Sequence, residues 1–318
     1  MPAPVPFTVL GGYLGAGKTT LLNRILAAPG AGDMAVMVND FGRLNIDAEL
    51  VAAQGGRAVR LENGCVCCTI GDSLVESLMQ VMAATPRPAR ILVEASGVAD
   101  PARVADFARL SPSLRLDRVI VLVDLEQIRA RCADRHVGDM ALKQLAAADV
   151  LVLNKADLVD DAARTETRAW VEGRSAAVVT FEATRADVPL AALFAPSERA
   201  GQAPRDHDHN RNHDHPHDDF DAVRTWSFET RRVFDRARLE ALLDGLPPAV
   251  LRAKGFVDLA GEGLMTLQLT GRRWTLEPAP DGVPRGQSRL VVLGTPGMPA
   301  DADLRRLVTG AVTGSPAT

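Results

Sequence analysis

The sequence predicts an α/β protein: a mostly parallel sheet with helices on both faces, followed by a smaller α+β domain. Two observations predict this class. Short apolar stretches rich in β-branched residues alternate with stretches of helical periodicity over the larger, N-terminal part of the chain. A polar segment rich in His and Asp then interrupts the pattern, and shorter strand-like stretches follow it. Regular alternation of strands and helices favours a parallel sheet covered on both faces.

Composition narrows the class of protein. A chain of 318 residues is long enough for two domains, and 47% hydrophobic with 24% charged residues is ordinary for a globular protein. The net charge of −4 gives no reason to expect a nucleic-acid partner. No apolar run has the length of a bilayer span, and the segment MPAPVPF lacks the features of a signal peptide. We therefore expect a cytoplasmic protein without a membrane partner.

The elements of the first domain follow from local periodicity. Its predicted strands are Phe7–Leu10, Met34–Val38, Ala58–Leu61, Arg90–Glu94, Val119–Val123, Val150–Leu153 and Ala177–Phe181. Its predicted helices include Thr19–Ala28, which Pro29 and Gly30 end, Gly71–Ala84, and a helix opened by Pro101.

The domain boundaries are predicted from the polar segment. We expect a first domain at 1–198, a His-rich linker at 199–221 and an α+β domain at 222–318. The predicted elements of the last domain are strands at Thr225–Glu229, Gly255–Leu259, Met265–Leu269, Trp274–Leu276 and Arg289–Leu293, and helices at Asp235–Leu243 and Asp301–Val308. Residues 311–318 are expected to be frayed.

The segment Gly11–Thr20, GGYLGAGKTT, matches G-x-x-x-x-G-K-[ST] between a predicted strand and a predicted helix. In that context the backbone N–H groups of a Gly-rich loop surround phosphate oxygens, and the helix N-terminus adds partial positive charge. Lys18 would contact the outer phosphates and the Thr19 hydroxyl would bind Mg²⁺. The predicted phosphate-binding residues are Gly12, Gly15, Ala16, Gly17, Lys18, Thr19 and Thr20.

The motif N-K-x-D, formed by Asn154, Lys155 and Asp157, directly follows a predicted strand. A carboxylate there can accept hydrogen bonds from the N1–H and the 2-amino group of guanine, which adenine does not offer. The alternative is a polar turn between a strand and a helix. With the phosphate loop upstream, the motif indicates GTP. Ala183 and Thr184, after the next strand, are candidates for further base contacts.

Two acids are candidates for catalysis. Glu94 ends an apolar strand, and Gly97 follows three residues later. In phosphate-loop enzymes an acid at such a strand end holds Mg²⁺, and a nearby glycine N–H senses the γ-phosphate. Asp40 follows the second predicted strand and is a candidate for metal binding or water positioning. The alternative for both acids is helix capping. The predicted reaction is attack of water on the γ-phosphate, assisted by Lys18.

Cys65, Cys67 and Cys68 form C-x-C-C on a predicted loop between Asp40 and Glu94. Thiolates suit Zn²⁺, and also Co²⁺ or Cu⁺. Three ligands leave a coordination position open, which favours a site that acquires and releases metal. Glu62 is an additional candidate ligand. The alternatives are buried inert thiols or a redox pair.

Histidines concentrate in the predicted linker and suggest weak auxiliary metal binding. They are His207, His209, His213, His215 and His217. The alternative is a merely solvated linker. Cys132 and His136 are four residues apart on a predicted helix and could share a face, although such a lone pair is more often incidental.

Taken together, these motifs resemble the CobW family of GTPases, relatives of the nickel-insertion GTPases of urease and hydrogenase maturation. The matching segments are GGYLGAGKTTLLNRIL, VNDFGRLNID, ENGCVCCTI, EASGVADP and QLAAADVLVLNKADLV, with GFVDL, LQLTGRRW and RLVVLG near the C-terminus. The resemblance implies that Cys65, Cys67 and Cys68 bind the transferred metal and that Glu94 replaces the usual Asp. It implies metal delivery to a client metalloprotein, with GTP binding coupled to metal affinity and hydrolysis to release.

The resemblance also implies pairing of two copies when GTP is bound. One departure is Arg43, at a position where the family often has an acid, which removes a ligand from any auxiliary site there. Zinc is the expected cargo. The alternatives are a cobalt-handling GTPase for cobalamin synthesis or hydratase maturation, and a metal-storing or metal-sensing module with vestigial GTPase activity.

Overall fold

The computed structural model of the chain describes residues 3–29, 33–38, 58–60, 66–177, 179–195 and 224–316, without the side chains of 58–60, 66–73 and 314–316. The described chain divides into two compact units, of which one contains most of a parallel sheet and the other all of a largely antiparallel sheet. None of the described helices has the length and apolar character needed to cross a bilayer.

The first sheet has the predicted parallel architecture. Its strands are β1 (Val5–Gly12), β2 (Met34–Val38), β3 (Ala58–Arg60), β4 (Arg90–Glu94), β5 (Leu114–Asp124), β6 (Val150–Asn154) and β7 (Val179–Glu182), in the spatial order β3-β2-β4-β1-β5-β6-β7. β1 pairs in parallel with β4 and β5, and β6 pairs in parallel with β5 and β7. The central strands are buried along almost their whole length, as expected for a parallel sheet covered on both faces. The predicted α/β class is confirmed.

Helices and turns connect these strands. They are α1 (Lys18–Ala27), α2 (Val66–Ala83), α3 (Pro101–Leu110), α4 (Ile128–Cys132), α5 (Gly138–Ala146), a 3-10 turn at Ala156–Leu158, α6 (Asp161–Glu172) and α7 (Leu190–Leu193). The Asp100 carboxylate caps α3 by accepting a hydrogen bond from the Ala102 N–H at 2.9 Å, and Pro101 occupies the first helical turn. The predicted start of α3 is therefore confirmed.

Helix α2 begins five residues earlier than predicted, at Val66 instead of Gly71. The apolar spacing of four residues at Val66, Ile70 and Leu74 continues the helical stripe backwards. Gly71, where the predicted helix began, lies inside the observed helix, and one glycine there costs only about 1 kcal/mol. The prediction that the cysteine motif lies on a loop is therefore wrong for Cys67 and Cys68, whose backbone is helical.

The second sheet forms the predicted α+β unit. It contains β8 (Arg224–Thr230), β9 (Arg232–Phe234), β10 (Val250–Leu259), β11 (Gly263–Thr270), β12 (Arg273–Pro278), β13 (Ser288–Gly294) and β14 (Val312–Pro316), with α8 (Arg236–Gly245) and α9 (Asp301–Gly310). The order β12-β11-β10-β13-β8 is antiparallel throughout. Leu239 of α8 and Leu304 of α9 join Phe234 and Leu267 in its apolar core.

Two strands of this unit were not predicted. β9 pairs with β10 in parallel and with β14 in antiparallel orientation. The prediction that residues 311–318 are frayed is wrong for β14. Val312 is 5% exposed within the core, and the Thr313 hydroxyl donates to the Val233 carbonyl at 3.1 Å. These pairings join segments distant in sequence, so local periodicity does not reveal them.

Candidate functional site

The predicted phosphate loop connects β1, which lies between β4 and β5, to the start of α1. Gly12 and Gly17 have φ values of 132° and 108°. A Cβ atom on Gly12 would lie 2.4 Å from the Leu122 carbonyl oxygen, and one on Gly17 would lie 2.4 Å from the Asn154 amide nitrogen. Both positions therefore require glycine, and the loop passes closely over the ends of β5 and β6.

Lys18 is the first residue of α1 and is only 4% exposed. Its Nζ atom donates to the Gly12 carbonyl at 2.8 Å and to the Tyr13 carbonyl at 3.3 Å. The ammonium group is thus folded back over the phosphate loop. A buried cation held in this way is suited to bind the anionic oxygens of a nucleotide.

Thr19 and Glu94 are brought together although 75 residues separate them. The Thr19 hydroxyl donates to Glu94 Oε1 at 3.3 Å, because Leu10 and Glu94 are register partners on the parallel strands β1 and β4. Glu94 is 4% exposed. A hydroxyl and a carboxylate are the hard oxygen donors that Mg²⁺ prefers, so the donor set fits this ion.

The loop after Glu94 lies against the phosphate loop. A Cβ atom on Gly97 would come within 2.5 Å of Leu14 Cδ2 and 2.9 Å of the Leu14 backbone nitrogen. Only glycine permits this approach. The glycine predicted to sense a γ-phosphate is therefore adjacent to the phosphate loop.

Asn154, the last residue of β6, joins two loops. Its Nδ2 atom donates to the Ala16 carbonyl at 2.8 Å, and its Oδ1 accepts from the Ala186 N–H at 2.7 Å. The side chain is 2% exposed. The N-K-x-D motif thus contacts both the phosphate loop and the 183–187 loop.

Replacing Asn154 by alanine is expected to destabilise the protein by about 2–4 kcal/mol, because a buried carbonyl and a buried N–H lose their partner. Thermal and urea unfolding measure this loss. The matched control is Asn23→Ala on α1, since Asn23 Oδ1 accepts no hydrogen bond from any described residue. If both variants lost the same stability, the two hydrogen bonds of Asn154 would not contribute measurably to the free energy of unfolding.

Lys155 has a partner that the sequence did not suggest. Its Nζ atom lies 2.6 Å from Asp124 Oδ2, and Asp124 is 6% exposed. Asp124 ends β5 opposite Asn154 in the register of β5 with β6. Two polar residues that end adjacent parallel strands meet at one edge, and that shared position was the available signal. Asp157 is exposed on the 3-10 turn after β6.

The 183–187 loop is held in a strained conformation beside Asn154. Arg185 and Ala186 have φ values of 50° and 56°, which non-glycine residues seldom adopt. Arg24 of α1 donates from Nε to the Arg185 carbonyl at 2.9 Å and from Nη1 to Asp187 at 3.0 Å. The loop that includes Ala183 and Thr184, the candidates for further base contacts, is thus linked to the helix of the phosphate loop.

The predicted metal site is described only in part. Cys67 and Cys68 lie in the first turn of α2, and their side chains are outside the described set. Four predicted features lie outside the described residues altogether: Asp40, Arg43, Glu62 with Cys65, and the five linker histidines. Among the residues whose side chains are described, no group of three His, Cys, Asp or Glu residues could hold a metal ion.

The prediction that Cys132 and His136 lie on one helix is wrong. α4 ends at Cys132, and His136 lies in the following turn, where its Nε2 accepts a hydrogen bond from Arg135. Burial raises the pKa of the half-buried Cys132 thiol to about 11. The thiol is therefore protonated at neutral pH and is a poor metal ligand there.

The chain matches two known families. Residues 6–180 match the family described as CobW/HypB/UreG, nucleotide-binding domain. Residues 223–310 match the cobalamin synthesis protein cobW C-terminal domain. The first match contains the phosphate loop, Glu94 and the N-K-x-D motif, and the second contains every strand of the antiparallel sheet except β14.

Similar proteins carry related names. A Sinorhizobium protein named Zinc chaperone CobW is 30% identical over 353 aligned positions, which cover 97% of this chain and 97% of that protein. The Zinc-regulated GTPase metalloprotein activator 1 of Schizosaccharomyces pombe is 34% identical over 175 positions, which cover 52% of this chain and 42% of that protein. The crystal structure of Zn(II)-bound YjiA GTPase from E. coli is 23% identical, with a TM-score of 0.46 and coverage of 98% of this chain and 99% of that chain.

Proposed function

This chain belongs to the CobW/HypB/UreG family of nucleotide-binding domains and carries the associated C-terminal domain, and from this premise we propose that it is a GTP-hydrolysing zinc metallochaperone. One observation carries the proposal. The phosphate loop, Glu94 and the N-K-x-D motif lie together at one edge of the parallel sheet, in a chain that aligns over 97% of its length with a relative named Zinc chaperone CobW.

The nucleotide proposal assigns a role to each group. Gly12, Gly15, Ala16, Gly17, Lys18, Thr19 and Thr20 bind the phosphates, and Asn154, Lys155 and Asp157 bind guanine. A bound Mg²⁺ would be held by Thr19 and Glu94 and would neutralise charge on the phosphates. Gly97 contacts the γ-phosphate. Asp40 and Glu94 assist the attack of water on the γ-phosphorus, while Lys18 stabilises the charge that develops on the transferred phosphoryl group.

The metal proposal rests on the thiolates. Cys65, Cys67 and Cys68 bind Zn²⁺ as cargo, with Co²⁺ as the chemically similar alternative. The linker histidines collect metal weakly. The names of the relatives support zinc over cobalt. The metal passes to a client metalloprotein when GTP is hydrolysed.

We assign a separate role to each predicted domain. Residues 1–198 bind GTP and metal, residues 199–221 form the linker, and residues 222–318 are available for client recognition. Two copies pair when GTP is bound. Truncation at the predicted boundaries tests the roles of the domains, and measurement of molecular mass with GDP and with a GTP analogue tests the pairing of two copies.

Coupling of the two sites tests the proposed function. Zn²⁺ affinity is measured by competition with a chromophoric chelator, with and without Mg²⁺ and a non-hydrolysable GTP analogue. We expect at least about tenfold tighter Zn²⁺ binding with the analogue, within the usual range of coupling energies. Equal affinities would rule out a nucleotide-controlled chaperone, because linkage between the sites is reciprocal.

Cys67→Ser is expected to weaken Zn²⁺ binding in the same titration by at least about a hundredfold, because a hydroxyl is a much poorer ligand than a thiolate. Affinity for GDP should stay unchanged. The matched control is Cys132→Ser, since the Cys132 thiol is half-buried and has a pKa of about 11. If Cys132→Ser impaired Zn²⁺ binding and Cys67→Ser did not, the metal would bind elsewhere.

A further inference from the structure

The loop between β4 and α3 is buried although it has no regular structure. Ala95, Ser96, Val98 and Ala99 are each 5% exposed or less. A buried loop must find hydrogen-bond donors for its carbonyl groups, because water cannot supply them. The groups that donate these hydrogen bonds therefore stabilise one conformation of the loop.

One side chain supplies two of these donors. Gln144 of α5 is 2% exposed, and its Nε2 atom donates to the Gly97 carbonyl at 3.2 Å and to the Ala99 carbonyl at 2.9 Å. A primary amide nitrogen carries two hydrogens, so both bonds can form at once. Gln144 therefore fastens the loop to α5 at two points on either side of Val98.

The opposite side of the same loop meets the phosphate loop. A Cβ atom on Gly97 would lie 2.5 Å from Leu14 Cδ2 and 2.9 Å from the Leu14 backbone nitrogen, so Gly97 packs directly against the phosphate loop. The Ala95 N–H also donates to the Leu10 carbonyl at 2.9 Å, which anchors the start of the loop on β1. Gly97 is thus held between Gln144 and Leu14.

Gln144 also belongs to the segment that carries the base motif. α5 is followed directly by β6, whose last residue, Asn154, donates to the Ala16 carbonyl of the phosphate loop. One helix–strand segment therefore contacts the Gly97 loop through Gln144 and the phosphate loop through Asn154. A shift of this segment would change both contacts together.

We propose that Gln144 is a positioning residue that holds Gly97 for the γ-phosphate and thereby sets the preference for GTP over GDP. This inference rests on the proposed function. GDP has no group for Gly97 to contact, so its affinity does not depend on the loop. GTP binding does depend on it, because a released loop must be ordered again when the γ-phosphate arrives. Gln144 acts through Gly97 and does not contact the nucleotide.

The test compares two nucleotides on one variant. Dissociation constants of the full chain for GDP and for a non-hydrolysable GTP analogue are measured with Mg²⁺, using fluorescent nucleotides. For Gln144→Leu we expect the affinity for the GTP analogue to fall about tenfold, with GDP changed less than about twofold. Equal losses for both nucleotides, or no loss, would overturn the inference, since a purely structural role does not alter the ratio.

Two control variants distinguish a specific change in the ratio of GTP to GDP affinity from a general loss of stability. Gln127→Leu changes the same residue type at the start of α4, where Gln127 accepts a hydrogen bond from Arg131, and should leave the ratio unchanged. Thr167→Val alters a buried residue of α6 and controls for stability. If Gln144→Leu does not fold, Gln144→Asn, whose shorter amide cannot reach both carbonyls, must lower the ratio in the same direction. A wild-type chain that binds neither nucleotide would refute the proposed function and the inference with it, whereas an unchanged ratio in the variants refutes the inference alone.

Discussion

Lys18→Ala is expected to lower GTP turnover at least about a hundredfold, which is the cost of removing one donor to a developing charge. Lys18 is 4% exposed, and its ammonium group already lies over the phosphate loop, where it donates hydrogen bonds to the Gly12 and Tyr13 carbonyls. The variant therefore loses both a cation that would bind the phosphates and the two hydrogen bonds that stabilise the phosphate loop. Phosphate release under saturating GTP measures turnover, and nucleotide titration measures the separate loss of affinity.

Two further substitutions are compared with Lys18→Ala. Lys18→Arg should also be impaired, because a planar guanidinium cannot replace a compact ammonium in a buried position shaped for lysine. Lys143→Ala removes an exposed lysine of α5 and should leave turnover within about twofold of wild type. Turnover that survives in Lys18→Ala would show that the phosphate loop is not the hydrolytic site.

Asp157→Asn is expected to lower GTP affinity on the order of a thousandfold and to raise affinity for xanthosine triphosphate. A carboxylate accepts both the N1–H and the 2-amino hydrogens of guanine, whereas an amide presents one acceptor and one donor. The amide donor opposes the 2-amino group and matches the 2-oxo group of xanthine. Sites built from such pairs discriminate strongly, since a mismatched polar group stays unpaired in the complex. Competition between the two triphosphates measures the change.

The control is an aspartate in the same part of the chain. Asp161, at the start of α6, has a side chain that is 92% exposed and pairs with Arg164 of its own helix. Asp161→Asn should leave base preference unchanged. An Asp157→Asn variant that still prefers GTP would mean that N-K-x-D is only a polar turn here, and the guanine assignment would fail.

Local patterns were sufficient for the elements whose signals are local. The strand Met34–Val38 was predicted at both ends, and the phosphate loop occupies its predicted place between β1 and α1. The proximity of Thr19 to Glu94 was also foreseeable, since Glu94 ends the parallel strand β4 and Thr19 follows the carboxyl end of β1. Their roles in binding Mg²⁺ stay predictions. A motif that combines glycines with a charged residue at fixed spacing specifies a local backbone conformation, and the sequence alone therefore predicts it.

Other residues of the candidate site had no local signal. Gln144 is an ordinary helical residue until α5 packs beside the Gly97 loop, and Asp124 is an ordinary strand end until β5 lies next to β6. The same holds for β14, which exists because β9 supplies its partner. These features depend on which segments become neighbours, and a window of sequence does not contain that information.

The sequence by itself determined the parallel α/β architecture and the family, and it contains the Gly-rich loop motif and the N-K-x-D motif, because each of these is encoded by residue types at short spacing. Only the tertiary structure decided that Asn154 bridges the phosphate loop and Ala186, that Asp124 pairs with Lys155, and that Gln144 holds the loop of Gly97. The physical reason is burial. Asn154, Asp124 and Gln144 are each at most 6% exposed, so their partners must come from whichever strand or helix the fold brings within hydrogen-bonding distance.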